Sequence, residues 1–356
     1  MYKTVFILGA GASADAGIPV MKDFLDRARD FYTTDWLTKE EKQIFSRVFD
    51  AINQLTGTSF YSYIDLNNIE NVLSAFDMGS LIGRLGNIPV EKIIDLKKYA
   101  QKLIGITIDL STNFRQREDN GTVVEGHYHR LATVILDILA KQKDQEVSII
   151  TFNYDLALEY AMHFHKIKTN YYLNNITDDS SLPLLKLHGS VNWGYSNVDN
   201  SVIYFGIDKI LNGLGFTGIK NNKKLIVWKQ FENEETKNRQ KIGGPVIVPP
   251  TWSKSEHHYK IDRVWKKAAE VLSKAEAIYI IGYSLPETDL FFRYLFALST
   301  HGEVSLRRFW VFNPDPEDEV GKRFEKLVGS GLTSRYKFYK TDFRAAIDEI
   351  KSAERS

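Results

Sequence analysis

Short runs of apolar residues, each of strand length, recur along the chain between longer stretches with helical periodicity. Runs of this kind are typical of parallel strands that are buried on both faces of a sheet. The predicted buried parallel strands are Thr4–Leu8, Val147–Phe152, Leu184–Leu187, Val246–Val248, Ala277–Ile281 and Phe309–Phe312. The predicted helices are Arg130–Lys141, Ile261–Lys274, Asp289–Leu298, Glu317–Val328 and Phe343–Lys351. Strands that alternate with helices predict an α/β fold with a mostly parallel sheet.

Two long stretches interrupt this alternation. Residues 25–144 are rich in helix formers and aromatic residues and lack convincing strands, which predicts a helical insertion after the first strand. Residues from about 192 to 244 are polar and rich in Asn and Lys, with one strand-like run at Leu225–Trp228, and predict an irregular excursion. We therefore expect residues 1–24 and 145–356 to form one domain, with residues 25–144 as the insertion.

The composition narrows the classes of protein and of site. Hydrophobic residues make up 43% and charged residues 26%, which is ordinary for a soluble globular protein. The formal net charge of +1 gives no overall field for nucleic acid or for an anionic membrane, so we expect neither as a direct partner. The chain has no cysteine, which excludes disulfides, thiolate zinc sites and cysteine nucleophiles. No basic and apolar leader precedes the first strand and no apolar run could span a membrane, so we expect a cytoplasmic protein.

The first predicted strand leads directly into Gly9-Ala10-Gly11-Ala12-Ser13 and then into helix-compatible residues. Glycine at the first and third positions permits a sharp turn and a close approach to a pyrophosphate, and the N–H groups that open a following helix attract the anion. The sixth position of this glycine pattern is Ala14, which the looser form of the pattern tolerates. The segment therefore predicts a nucleotide site, and the alternative is a purely structural turn between strand and helix.

Two later strands end in polar side chains with possible catalytic roles. Asn153 and Asp155 follow one strand, and His188 with Gly189 follows the next. Ligands of parallel α/β sheets bind outside the carboxyl ends of the strands, where these side chains should lie. Histidine titrates near neutral pH and is a common general base, although Asp155 could instead form an Asx turn or helix cap, and His188 could be structural. No spacing resembles a His-Glu-x-x-His metal motif, and we expect no metal.

Two further strands end in segments that could hold a ribose or a phosphate. One runs into Gly282-Tyr283-Ser284, where the backbone amides and the Ser284 hydroxyl could contact the ligand, and the other ends at Asn313. Each ending is common turn chemistry when taken alone. Five polar strand ends in one chain are harder to explain as turns only.

Taken in chain order, these motifs resemble those of the sirtuin family, and in particular its sirtuin-like branch found in bacterial anti-phage defence. The family pattern Gly-Ala-Gly-x-Ser, followed by Gly-Ile-Pro, matches residues 9–13 and 17–19. Thr-x-Asn-x-Asp matches residues 151–155, and His-Gly matches residues 188–189. Gly-x-Ser and a strand-terminal asparagine match residues 282–284 and residue 313. The resemblance extends from residue 3 to about residue 315 and rests on the joint order of these five short motifs.

The resemblance implies a Rossmann-like NAD-binding domain with helices on both faces of the sheet and an inserted, mainly helical module. It implies that Asn153 orders the ribose and the attacking water, that Asp155 contacts the nicotinamide carboxamide, and that His188 is the base. The residues expected to bind the remainder of NAD are Gly9, Ala10, Gly11, Ser13, Gly282, Ser284 and Asn313.

Departures from the family pattern indicate which branch applies. Deacylases of the family usually carry a four-cysteine zinc module, which a chain without cysteine cannot form. The branch without this module is associated with NAD hydrolysis, so we expect an NAD glycohydrolase that depletes cellular NAD in abortive anti-phage defence. That branch also implies a homo-oligomer and a hexameric DNA-translocating ATPase as a partner. The alternatives are a non-catalytic sensor that binds NAD or ADP-ribose, an NAD-dependent protein deacylase, and a dehydrogenase.

Overall fold

The computed structural model of the chain describes residues 3–57, 64–113, 126–141, 145–174, 180–196, 201–213, 227, 242–248, 261–287, 289–300 and 306–355. The strands, in chain order from β1 to β12, are Lys3–Leu8, Arg84–Leu85, Ile88–Pro89, Glu146–Thr151, Thr169–Asn170, Leu182–Lys186, Gly189–Ser196, Val202–Tyr204, Ile242–Ile247, Ala277–Ile281, Arg308–Phe312 and Tyr336–Tyr339. The α-helices, from α1 to α12, are Ala10–Ser13, Phe24–Thr33, Lys39–Thr56, Ile69–Ile82, Val90–Ser111, His127–Lys141, Ala157–Phe164, Ile207–Gly213, Asp262–Ser273, Leu290–Ser299, Val320–Leu327 and Phe343–Arg355. In these ranges no helix is both long enough and apolar enough to cross a membrane.

Seven of the strands form one sheet in the order β12-β11-β10-β1-β4-β6-β5, and every neighbouring pair is parallel. Five consecutive residues of the central strand, Thr4 to Leu8, are almost completely buried. Successive strand side chains point to opposite faces of a sheet, so burial of all five means that both faces are covered. The predicted α/β class, a Rossmann-like parallel sheet flanked by helices, is confirmed.

The helices α2 to α5 lie between β1 and β4 and bury their apolar faces largely against one another. The fully buried side chains of this second core include Phe45, Val48, Phe76 and Leu103. The helix α6 is not part of this second core, because its apolar residues pack in the core of the main sheet and the helix contacts β4 and α7. The division of the chain into residues 25–144 and the remainder stays a prediction.

A short hairpin, β2 and β3, lies inside the stretch that we expected to lack strands. Its turn contains Gly86 with a φ of 58°, a left-handed conformation that glycine adopts without steric cost. Strands of two residues are too short to show alternation of apolar and polar side chains, which is why the sequence pattern did not reveal them.

The prediction that Val246–Val248 is a buried parallel strand is wrong in its pairing. These residues overlap β9, which runs antiparallel to β7 in a separate sheet of order β8-β7-β9. Gly189, with a φ of 85°, forms the sharp turn after β6 at which β7 begins. Because β7 belongs to the separate sheet, β9 pairs with it and not with a strand of the main sheet. An apolar run predicts burial but not the direction of its neighbour. The strand-like run Leu225–Trp228 lies outside the described residues except for Val227, which is not in a strand.

The glycine-rich turn after β1 opens only one helical turn, α1, instead of a long helix. A 3₁₀ turn at Ala14–Ala16 follows, and Gly17 ends it in the left-handed conformation with a φ of 83°. Pro19 then prevents the helix from continuing, because proline lacks an N–H group and restricts the residue before it. The next α-helix begins at Phe24. Only one helical turn therefore follows the glycine-rich segment directly.

The carboxylate of Asp315 holds the chain around the start of α11. One oxygen accepts hydrogen bonds from the backbone N–H groups of Glu319 and Val320, both at 2.9 Å, and the other accepts from Gly321 at 3.0 Å. Burial by itself would raise the pKa of Asp315, but these three donors hold that pKa below its ordinary value. The ionised carboxylate thus stabilises the folded state above the ordinary pKa, and this contribution is lost as the pH falls through the folded-state pKa.

We expect Asp315→Asn to lower the free energy of unfolding by about 1–3 kcal/mol near pH 7, because an amide cannot accept all three hydrogen bonds. The difference from the wild type should begin to shrink below about pH 4, where the unfolded wild type takes up a proton, and should be lost once the pH is below the lowered pKa of Asp315 in the folded state. Urea unfolding of both proteins at several pH values measures this difference. A difference that does not change with pH would contradict the role of the charge.

Candidate functional site

The chain leaves the central strand β1 toward β4 on one side and later returns to β10 on the other side. The connection after β1 therefore leads to one side of the sheet and the connection after β10 leads to the other, and such a topological switch point is where open parallel sheets bind ligands. All five strand-end motifs predicted from the sequence follow strands of this parallel sheet, namely β1, β4, β6, β10 and β11. Their side chains consequently lie at one edge of the sheet.

The glycine-rich loops after β1 and β10 pack backbone against backbone. Gly9 donates its N–H to the carbonyl of Ile281 at 3.0 Å, and Gly11 donates to the carbonyl of Gly282 at 2.9 Å. A Cβ atom on Gly9 would lie 2.6 Å from the Gly282 carbonyl oxygen, and one on Gly282 would lie 2.3 Å from the Ala12 nitrogen. These glycines are thus required for the contact between the two loops. The N–H groups of Gly9 and Gly11 are already used in that contact.

The Asn153 side chain ties the end of β4 to the loop after β1. Its Nδ2 donates to the Gly9 carbonyl and to Ser13 Oγ, each at 2.8 Å, and lies 3.3 Å from the Tyr128 hydroxyl. Ser13 Oγ and the Tyr128 hydroxyl are themselves 2.8 Å apart. All three side chains are buried. The predicted site residues Gly9, Ser13 and Asn153 therefore meet directly, and the network holds the Asn153 amide in one orientation.

Asp155 Oδ1 accepts from the N–H of Ala157 at 3.0 Å in an Asx turn before α7, and its contact with nicotinamide stays a prediction. A buried ion pair also contacts this segment. Lys186 Nζ lies 2.7 Å from Glu159 Oε1 and 2.5 Å from the carbonyl oxygen of Asp155. Burial raises the pKa of Glu159, and the nearby Lys186 opposes this shift. The pair joins the start of α7 to the end of β6, two residues before His188.

His188 lies two residues after the end of β6 and is buried beside aromatic rings and a carboxylate. The centroid of its ring is 5.1 Å from that of Phe152, which stacks on Tyr283 with centroids 4.2 Å apart. His188 Nε2 is also 3.8 Å from Oδ2 of Asp289. The Tyr283 hydroxyl donates to the same carboxylate oxygen at 2.6 Å. His188, Tyr283 and Asp289 thus form one buried polar cluster against an apolar wall.

Burial keeps the tyrosines of this edge protonated. It raises the pKa of Tyr283 well above its ordinary value, with a further rise from Asp289 and an opposing effect of Arg293. Burial likewise raises the pKa of Tyr154, to which the carboxylates of Glu70 and Asp289 add. Glu70 comes from α4, so the helices between β1 and β4 bring a negative charge close to the site. These hydroxyls consequently act as neutral hydrogen-bond donors.

The remaining predicted residues lie at the ends of β10 and β11. The carbonyl of Ser284 accepts from Arg323 Nη1 at 3.4 Å. Asn313 Oδ1 accepts from the backbone N–H of Asp315 at 3.0 Å, which forms an Asx turn. Both side chains are half-buried, as is Ala10 at the start of α1. Their placement is compatible with a ligand that extends along the carboxyl edge of the sheet, and their binding role stays a prediction.

Sequence reasoning missed two residues of this site, Tyr128 and Asp289. Asp289 precedes an apolar helix, which is the pattern of an ordinary helix N-cap, and it does accept from the N–H of Phe292. Tyr128 falls on the apolar face of α6 and looks like a core residue. No sequence signal distinguishes either residue from its structural role. Within the described ranges, no three His, Cys, Asp or Glu side chains are grouped so that they could hold a metal ion.

Comparison with known proteins finds no matching family model and no matching curated protein. Comparison with solved structures finds several with a similar backbone fold. One is a complex of a Sir2 homologue with NAD, at 15% identity and a TM-score of 0.43 over 99% of this chain and 89% of that chain. A structure described as a basis for the mechanism and regulation of Sir2 enzymes has 14% identity and a TM-score of 0.45, over 99% of this chain and 92% of that chain. Sir2Tm bound to a propionylated peptide has 14% identity and a TM-score of 0.37, over 99% of this chain and 94% of that chain.

Proposed function

We propose that this protein is an NAD glycohydrolase, which hydrolyses the bond between the nicotinamide and the ribose of NAD. The observation that carries the proposal is the meeting of strand-end motifs at the switch point of the sheet. The loop of Gly9 and Ser13 contacts Asn153 directly, and His188 follows the next strand beside a buried carboxylate. This arrangement would provide three things that the reaction needs: a loop where open parallel sheets bind a dinucleotide, the Asn153 amide in a fixed orientation, and the His188 imidazole as a base.

The proposed reaction breaks the bond between ribose C1′ and the nicotinamide nitrogen. The electron pair of that bond leaves with nicotinamide, which departs as a neutral molecule, so the sugar becomes oxocarbenium-like and needs no covalent nucleophile. The oxygen of a water molecule bonds to C1′, and one of its protons passes to the base. NAD and water thus give ADP-ribose, nicotinamide and one proton. The protein has to position these groups and accept the proton.

The proposed roles follow from residue type and position. His188 accepts the proton, because a neutral imidazole can act as a base near neutral pH. Asn153 orients the ribose and the water, with its Nδ2 held by Gly9 and Ser13. Asp155 contacts the nicotinamide carboxamide, and Ser284 and Asn313 contact the adenosine half. Because the N–H groups of Gly9 and Gly11 are hydrogen-bonded to the carbonyls of Ile281 and Gly282, we propose that these glycines shape the loop that holds the pyrophosphate and do not donate to it.

The direct test is incubation of purified protein with NAD, followed by chromatography and mass spectrometry of the products. We expect release of nicotinamide together with ADP-ribose, without any added acylated peptide; the cyclic isomer would mean that the adenine of the ligand attacks C1′ instead of water. NAD that binds but is never consumed would instead support the sensor. Consumption only in the presence of an acyl-lysine peptide would support a deacylase, and formation of NADH from NAD and an alcohol would support a dehydrogenase.

We further propose that this activity depletes cellular NAD in anti-phage defence, as the resemblance of the sequence motifs suggests. A toxic hydrolase has to be controlled, and a homo-oligomer or a complex with a hexameric DNA-translocating ATPase would provide such control. Cells that express the wild type should lose NAD after phage infection, whereas cells that express His188→Ala should retain it. Equal NAD levels in both would argue against a cellular role for the hydrolase.

A further inference from the structure

A fully buried carboxylate faces the proposed base. The relative exposure of Asp289 is 0%, and the His188 side chain is 6% exposed. Oδ2 of Asp289 lies 3.8 Å from Nε2 of His188, which is ion-pair distance when the imidazole is protonated. A buried carboxylate is costly unless it is hydrogen-bonded and paired with a positive charge. Protonated His188 can supply that charge.

The carboxylate is held rigidly. One oxygen accepts from the N–H of Phe292 at 3.4 Å, at the start of α10, and the other accepts from the Tyr283 hydroxyl at 2.6 Å. Tyr283 is itself fixed, since it stacks on Phe152, which also contacts the ring of His188. Rotation of Asp289 away from His188 would break both hydrogen bonds. The imidazole therefore meets a carboxylate in a fixed position.

We infer that Asp289 is a positioning residue, which orients His188 and balances the positive charge that His188 acquires when it accepts a proton. The inference rests on the proposed function for the identity of that proton, which comes from the attacking water. In hydrolytic triads a carboxylate orients a histidine and stabilises its protonated form through a hydrogen bond to the ring nitrogen that does not take the proton. The 3.8 Å between Asp289 Oδ2 and His188 Nε2 is longer than a hydrogen bond, so Asp289 acts here mainly through its charge. The other titratable and charged groups near this cluster are the hydroxyls of Tyr154 and Tyr283, the carboxylate of Glu70 and the guanidinium of Arg293.

A competing explanation is that Asp289 only caps α10. Asp289→Asn separates the two roles, because asparagine caps helices as well as aspartate does but carries no charge. Thr38→Ala is the matched control for loss of a cap, since Thr38 caps α3 within the helical region and accepts from the N–H of Glu41. A cap lost at Thr38 should lower the melting temperature by a few degrees and leave turnover unchanged.

The experiment measures kcat and KM for NAD hydrolysis together with the melting temperature of each variant. We expect Asp289→Asn to lower kcat by about 10²-fold with KM changed by less than about 3-fold, because its charge acts on the base in the transition state. Its melting temperature should fall by only a few degrees, because the cap is retained and only the acceptor for the Tyr283 hydroxyl is lost. A wild-type kcat in Asp289→Asn would overturn the inference. If Asp289→Asn proves unstable, a kcat equal to that of the wild type after correction for the folded fraction would overturn it as well.

A second measurement is independent of turnover. In ¹⁵N-labelled protein the imidazole resonances of His188, assigned by comparison with His188→Ala, report its protonation as the pH is lowered. We expect the protonated form to appear at lower pH in Asp289→Asn than in the wild type, because the nearby negative charge favours it. Identical titrations would overturn the inference. If the wild type titrates as expected but never cleaves NAD, the proposed function fails while the pairing stands.

Discussion

His188→Ala should lose NAD hydrolysis almost completely, with kcat reduced by about 10²–10⁴-fold, because it removes the group proposed to accept the proton from water. The ring of His188 packs on Phe152, so its removal also leaves a small void. That void should lower the melting temperature by only a few degrees in a chain of this size. Product release measured by chromatography, alongside thermal unfolding, checks both expectations.

The matched control for this substitution is His163→Ala. His163 also pairs with an aspartate, since its Nδ1 is 2.7 Å from Oδ1 of Asp208, but its side chain is 42% exposed. We expect this variant to keep wild-type turnover, because exposed pairs contribute little and the pair involves only α7 and α8. Full activity in His188→Ala, with the fold retained, would remove His188 from the mechanism.

Gly282→Ala should be among the most destabilising single substitutions in the protein. Gly282 has a φ of 64°, and an added Cβ would lie 2.3 Å from the nitrogen of Ala12 and 2.6 Å from the carbonyl carbon of Gly11. Both neighbours are backbone atoms, which cannot move without separating the loops after β1 and β10. The strained conformation and the overlap together should lower the free energy of unfolding by about 3 kcal/mol or more.

Gly206→Ala provides the comparison for this effect. An added Cβ at Gly206 would meet no atom within 4 Å, so we expect a change of less than about 0.5 kcal/mol. Urea unfolding measures both variants. Because Gly282 joins the proposed site through Gly9 and Gly11, any folded fraction of Gly282→Ala should also bind NAD weakly. Equal stability of the two variants would mean that the loops can separate without cost.

Two other glycine substitutions would disturb backbone contacts as well as the proposed site. An added Cβ at Gly11 would lie 3.0 Å from both Cα and the carbonyl oxygen of Gly282, so Gly11→Val would disturb the contact between the loops as well as any bound pyrophosphate. At Gly189, with a φ of 85°, an added Cβ would lie 2.0 Å from the carbonyl oxygen of Val246. Substitution there would break the pairing of β7 with β9 and would not act on His188 alone.

Much of the fold could be predicted because its information is local. The apolar runs at Thr4–Leu8 and Ala277–Ile281 mark β1 and β10 almost to the residue, since strands buried on both faces need continuous apolar sequence. The strand-end glycines and polar residues could be found for a related reason, because each follows such a run immediately. The partners of these residues could not be predicted in this way.

The sequence by itself determined that the chain forms an α/β sheet with polar residues at the carboxyl ends of its strands, and that no cysteine chemistry is possible. Tertiary structure alone decided that Asn153 meets Ser13 and Tyr128, that His188 faces Asp289, and that β9 runs antiparallel. The reason is that such contacts join residues far apart in the chain. Periodicity and turn chemistry report only a few neighbouring residues, whereas the order of strands in the sheet decides which strand ends meet.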